Sequence, residues 1–484
     1  MNRYVKFLCS TACIASLSAC QHLADKPVPS ATGIAITDLS DLPDSWASVS
    51  EKAGPVRNDW LNAFSDPLLI GLVEEAQKNN QDLELAATQV EIAAAYSREA
   101  YSHLKPGIAV TGGASRSRIG LDSFGNLGVP ETTNRSTTYG LVQLSWEIDL
   151  WGRLRDGWMR ASENEKAALA DYQAAQQSIA AAVARSYFVI LETSAQEKLL
   201  AESRATLLSL RKLVALQLEA GVANELDLEK INSRLAQIDA QVASLQTGRR
   251  KAIRALEVLL GRYPSATLET ATGLPDVPLP PPAGLPSSLL ERRPDIRSAE
   301  HKVAAALFSR ESAHKIHLPQ FSLTGLLGAA SDELLGMLDP KATLLNLGGA
   351  LAVPLYQGGA IKAGEDIADA NLHAAIVLYH KSALAAFQEV EDVLDEGLSL
   401  RQQKLYIEKA VAASREALRL EKLRYEVGEG DLVDVLLSEQ DLNSVESKLL
   451  EVERKLRDQY VMLNLALGGN WTSEELPISQ QETK

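Results

Sequence analysis

Aromatic residues make up only 5% of this 484-residue chain, and basic residues are outnumbered, with 48 Lys and Arg against 63 Asp and Glu for a formal charge of −15. Phosphate binding needs a basic face, and none is visible, so no nucleic-acid partner is expected. The three cysteines, Cys9, Cys13 and Cys20, all lie at the N-terminal end. That excludes a disulfide framework, a thiolate cluster or a cysteine nucleophile further along. Proline is missing between Pro130 and Pro264 and again between Pro354 and Pro477, so nothing covalently forbids continuous helix through either stretch. G-x-S-x-G, Walker A and H-E-x-x-H motifs are absent, and no catalytic set or cofactor is expected. His314 with His317, and His373 with His380, have helical spacing but no third ligand at a metal-binding interval, so they read as solvated side chains.

What the chain does contain begins with a short apolar run. Arg3 and Lys6 precede Phe7–Ala19, too short to span a bilayer but suited to a secretory signal. It ends in Leu17-Ser18-Ala19-Cys20, which resembles the bacterial lipobox. That resemblance implies that Cys20 is acylated and becomes the first mature residue, held in outer-membrane lipid because Gln21, not Asp, follows it. Beyond this, Ala, Leu, Glu, Gln, Lys and Arg dominate long stretches, the composition of long packed helices.

The chain also matches itself. Residues 218–229 superpose on 425–436, so that Gly221 falls on Gly428 and Asp227 on Asp434, and the apolar seam continues from Leu228 and Val435 to Leu260 and Leu467. Its steps of three and four residues are those of a helical bundle. A second match starts at Gln81 and Pro294 and carries Asp82 onto Asp295 and Pro106 onto Pro319. The expected organisation is a leader at 1–19, a lipid-anchored segment at 20–65, a first repeat at 66–264, a proline-rich linker at 265–286, a second repeat at 287–470 and a tail at 471–484. Each repeat reads helix, strand, strand, long helix, returning helix. From about Arg153 to Glu219 a helix would extend about 100 Å at 1.5 Å per residue. Gly221 and Gly428 then stand where antiparallel helices turn, because glycine accepts the left-handed conformation.

One strand of the first repeat begins at about Gly107. Its partner alternates, with Val142, Leu144, Trp146 and Ile148 on one face and Gln143, Ser145, Glu147 and Asp149 on the other. Strands near Phe321–Gly328 and Leu345–Leu355 complete the second repeat. Behind a lipobox this pattern suits a membrane barrel, with lipid outside and water inside. Four strands cannot close one, so several protomers must share it, and three would supply twelve strands. Arg292-Arg293-Pro294-Asp295 reads as a turn and helix start.

Trp146–Gly152 (WEIDLWG), Val353–Gly359 (VPLYQGG) and especially Gly284–Glu300 (GLPSSLLERRPDIRSAE), together with the duplicated plan, resemble the TolC-type outer-membrane efflux ducts in their NodT-like lipoprotein branch. The resemblance covers nearly all of the mature chain. It implies a mainly α protein with a membrane β-barrel portion: a homotrimer whose twelve-stranded barrel continues as an α-helical coiled-coil tunnel into the periplasm. It also implies export of small molecules or drugs with a periplasmic adaptor and an inner-membrane RND-type transporter. A protein-secretion duct and a pore-free coiled-coil lipoprotein are the alternatives. By resemblance, Asp227 and Asp434 line a periplasmic gate and Tyr425 is a gate tyrosine. Gly430 stands where the resembled gate has a basic residue and Leu437 where it has a second acid, leaving Asp431 or Glu429 to replace part of that lock.

Overall fold

The computed structural model describes residues 45–48, 56, 58–120, 132–221, 224–269, 271, 273–284 and 286–470. The leader and Cys20 lie outside the described residues. Helices α1 (Pro67–Asn79) and α2 (Gln81–Ser102) lead into strands β1 (Gly107–Gly120) and β2 (Thr132–Ile148), then the long helix α3 (Arg153–Glu219) and its return α4 (Glu225–Leu259). After the linker come a short α5 (Pro286–Arg292), α6 (Pro294–His314), β3 (Gln320–Ser331), β4 (Thr343–Ala352), α7 (Ala360–Glu426) and α8 (Leu432–Ala466). Helices α3 and α7 have 67 residues each and α4 and α8 have 35 each, so the duplication holds to the residue.

Local chemistry explains where these helices begin and end. Asp66 caps α1 by accepting from the amides of Leu68 and Leu69, ahead of Pro67 at the first turn. Asn80 ends α1, caps α2 with its side-chain oxygen, and donates its amide to the carbonyl of Leu259 at 2.9 Å, tying that corner to the end of α4. The second hairpin turns in a Schellman motif, with the Gly428 amide on the Tyr425 carbonyl and the Glu429 amide on the Arg424 carbonyl. Gly221 and Gly428 have φ of 73° and 81° with open space where a Cβ would stand, so backbone conformation alone requires glycine there.

The four strands form one antiparallel sheet in the order β1-β2-β3-β4. The β2–β3 pairing, Trp146 opposite Leu323 and Ile148 opposite Phe321, joins the two repeats. Strand β4 stops at Ala352, short of the Leu355 expected from sequence. It is an edge strand, and no neighbour supports Val353 and Leu355 as β3 supports the end of β2.

Helix α3 packs against α1, α2, α4, α6 and α8, while α7 packs against α6 and α8. One core cluster gathers Phe64, Leu69, Tyr187, Phe188, Leu256 and Tyr460 where the linker and helix ends converge. A second lies towards the hairpin tips, with Leu207, Val214, Ile231, Leu235 and Ile238 of the first hairpin around Leu432 of α8. Arg293 is more than the turn residue expected. Its largely buried guanidinium binds Glu389 of α7 at 2.6 Å, Asp295 at 2.8 Å and the carbonyl of Ala466 at 3.0 Å, tying the start of α6 to α7 and the end of α8.

Candidate channel wall and gate

Register gives the sheet two unlike faces. Directly opposed residues share a face, so Val110, Val142, Leu327 and Leu345 form one row, and Ile108, Leu144, Gly325 and Leu347 the next. Trp146, Leu323 and Leu351 extend this face. Its apolar side chains are open to the surroundings, with Val110 and Leu347 each 78% exposed. The opposite face carries Gln143, Ser145, Glu147, Ser322, Thr324 and Asn346, interrupted by Leu141, Leu326 and Leu344. A band of exposed apolar side chains on one face of a sheet with a polar reverse is the pattern of a barrel wall between lipid and water. No described helix is long and apolar enough to cross a membrane. Where sheet meets helices, the indole nitrogens of Trp146 and Trp151 donate to the carbonyls of Leu104 (3.1 Å) and Pro319 (2.7 Å). Gly152 and Gly359, both with positive φ, start α3 and α7 there.

At the other end, Tyr425 of the second hairpin lies over the first. Its hydroxyl donates to Gln217 Oε1 of α3 at 2.9 Å. Burial, and then the carboxylates of Asp227 and Asp431, push its phenol pKa up. Asp227 sits in the first turn of α4, paired with Lys230 at 3.4 Å, and its amide donates to the cap, Asn224. Asp434 is exposed in the first turn of α8, where the helix dipole favours an acid, and forms no ion pair among the described residues. Tyr425 thus joins the first hairpin at Gln217 within one protomer, and Asp227 is held by Lys230.

The departures from the resembled gate have physical causes. A Cβ at Gly430 would lie 2.9 Å from the Tyr425 amide nitrogen, so a basic side chain cannot occupy that position without displacing the turn. Asp431 spends its carboxylate capping α8, accepting from the Val433 amide at 3.0 Å. Glu429 is exposed.

Sequence reasoning missed a buried polar cluster behind the tips. Glu439 of α8, 4% exposed, accepts from Ser203 of α3, from Asn443, and from Arg234 of α4, whose Nε and Nη2 both lie at 3.4 Å. The signal was present: Glu439 continues the stripe of Leu432 and Val435, a charge where the spacing calls for an apolar residue. The histidines meet carboxylates singly, His314 with Asp369 at 3.1 Å and His317 with Glu365 at 3.6 Å. No group of three or more metal-capable side chains occurs among the described residues.

Comparison with known proteins agrees with this architecture. Residues 72–262 and 285–469 match the family described as outer membrane efflux protein. The chain is 29% identical over 469 residues to the pyoverdine export outer membrane protein OpmQ of Pseudomonas putida, covering 96% of this chain and 98% of that protein. It is also 29% identical over 468 residues to the cation efflux system protein CusC of Escherichia coli, covering 95% and 98%. Among solved structures, the outer-membrane channel OprN superposes with a TM-score of 0.83 at 26% identity, over 92% of this chain and 98% of that one. With the match spanning most of its length, the chain belongs to the outer membrane efflux protein family, the outer-membrane channels of efflux pumps.

Proposed function

We propose that three copies of this chain close their sheets into one twelve-stranded barrel and run their hairpins into the periplasm as a gated tunnel. Small molecules would pass through it passively, delivered by a periplasmic adaptor and an RND-type inner-membrane transporter. The observation that carries this reading is a sheet with an exposed apolar face, a polar face and two edges, β1 and β4, unpaired among the described residues. Unpaired backbone groups in lipid cost several kcal/mol each, so such a sheet is stable there only when closed.

The repeat supplies a second argument for shared assembly. Ser298 and Ala305 of α6 and Ala170 of α3 are buried where α6 packs between repeats, at 1%, 5% and 2% exposure. Their repeat counterparts, Leu85 and Ile92 of α2 and Val377 of α7, are larger and apolar yet 60%, 42% and 50% exposed. A neighbouring copy that seats its α2 against α7 would cover all three, as α6 covers α3.

At the tunnel tip, Asp227 and Asp434 from three copies would crowd six carboxylates into one opening, with Tyr425 beside them. Such a ring favours cations and raises the cost of ionising each member. Wild-type bilayer recordings should show cation preference and block by multivalent cations from the periplasmic side. Asp227→Asn with Asp434→Asn should weaken both and leave the trimer intact. A double variant with unchanged selectivity and block would return both residues to ordinary helix-start acids. The anchor reading expects palmitate label on the wild-type chain, and label persisting in Cys20→Ala would refute it.

A further inference from the structure

The Glu439 cluster joins three helices from both hairpins at a point the gate reading leaves unexplained. Arg234–Glu439 is, among the described residues, the ion pair between hairpins nearest the tips, with side chains only 11% and 5% exposed. Ser203 Oγ, itself buried, donates to Glu439 and accepts from Asn443 Nδ2 at 2.8 Å, so α3, α4 and α8 share one network. Leu207, Ile231, Leu235 and Leu432 belong to the apolar cluster of the same seam.

An apolar side chain at 439 would bond this seam more simply. Buried ion pairs give little net stability compared with well-packed apolar residues, but removing one partner is costly because it strands a charge. When helices part and water enters, the comparison reverses: exposed Arg and Glu are hydrated, whereas exposed leucines are not. A charged pair inside an apolar seam therefore favours two states, joined and dry or parted and wet, over partly opened ones. Those are the properties of a contact meant to be broken.

We propose that Ser203, Arg234, Glu439 and Asn443 form a latch that holds α8 against the first hairpin in the closed duct and must part before α8 can move aside to widen the tip. This rests on the duct reading above. It places a basic–acidic contact along the helices, behind the turn, where Gly430 leaves no room for one.

The test uses the full-length assembled protein in planar bilayers. Glu439→Gln and Arg234→Gln should each raise time-averaged conductance severalfold over wild type. Arg234→Leu with Glu439→Leu should lower it below wild type, because the seam then loses its hydrated open state. Single variants that conduct like wild type would overturn the latch, whereas a wild-type protein that does not conduct would count against the duct reading instead. If the single variants fail to assemble, Ser203→Cys with Asn443→Cys decides the matter. Bridging the two thiols with a short bis-thiol reagent should hold the duct shut until the bridge is cleaved, and a bridged duct that conducts normally would refute the proposal.

Discussion

Asp458 of α8 shows how burial can outweigh an ion pair. Arg454 pairs with it, and also reaches across to Glu192 of α3 at 2.5 Å. Its Oδ1 has no hydrogen bond among the described residues. Burial pushes the carboxyl up to about 6; Arg454 and Arg185 pull it down, while Glu192 and Glu396 push it further up. An acid whose folded pKa exceeds its unfolded value binds more protons in the folded state between the two. Its contribution to stability is therefore greatest below about pH 4 and falls as pH rises through about 6, by about 3 kcal/mol from a shift of roughly two units. Asp458→Asn should flatten that part of the profile, leaving the variant relatively more stable near pH 7. Thermal melts of both proteins between pH 4 and 7 would check it, and parallel profiles would exclude the assignment. The sequence showed Asp458 only as one charge on a charged helix. Besides Arg454 on its own helix, the charges around it, Arg185, Glu192 and Glu396, come from α3 and α7, far away along the chain.

At the scale of elements, the repeat converts one observed strand pairing into an unobserved one. In the proposed barrel, Trp146 opposite Leu323 and Ile148 opposite Phe321 would be repeated as Val353 opposite the partner subunit's Val110 and Leu355 opposite the partner subunit's Ile108. Both pairs would be apolar and would continue the exposed apolar face of the sheet, as the proposed closure requires. Val353→Cys with Val110→Cys should therefore oxidise to a covalent ring that stops at the trimer, while Val353→Cys with Ile108→Cys, two residues out of register, should link poorly. Ladders extending past three, or equal yields from both pairs, would contradict this closure. Most element positions were legible beforehand: the expected span Arg153–Glu219 is the observed α3, and the glycines mark the hairpin turns. The end of β4 was not, because a strand terminus depends on its neighbour more than on its own alternation.

For the whole molecule, the sequence by itself determined everything that local backbone chemistry governs. Proline-free runs permitted the long helices, glycines turned them, and alternation marked β2. Duplication repeated the proline-free run and the turn glycine in the second half. The tertiary structure decided what crosses between repeats: Tyr425 reaching Gln217, Glu439 reaching Arg234 and Ser203, Trp146 lying opposite Leu323. The physical reason is that an apolar stripe repeating every three or four residues fits its partner helix in several registers of similar energy. Which residues meet is fixed only when the turns, the sheet pairing and the buried polar contacts are satisfied together.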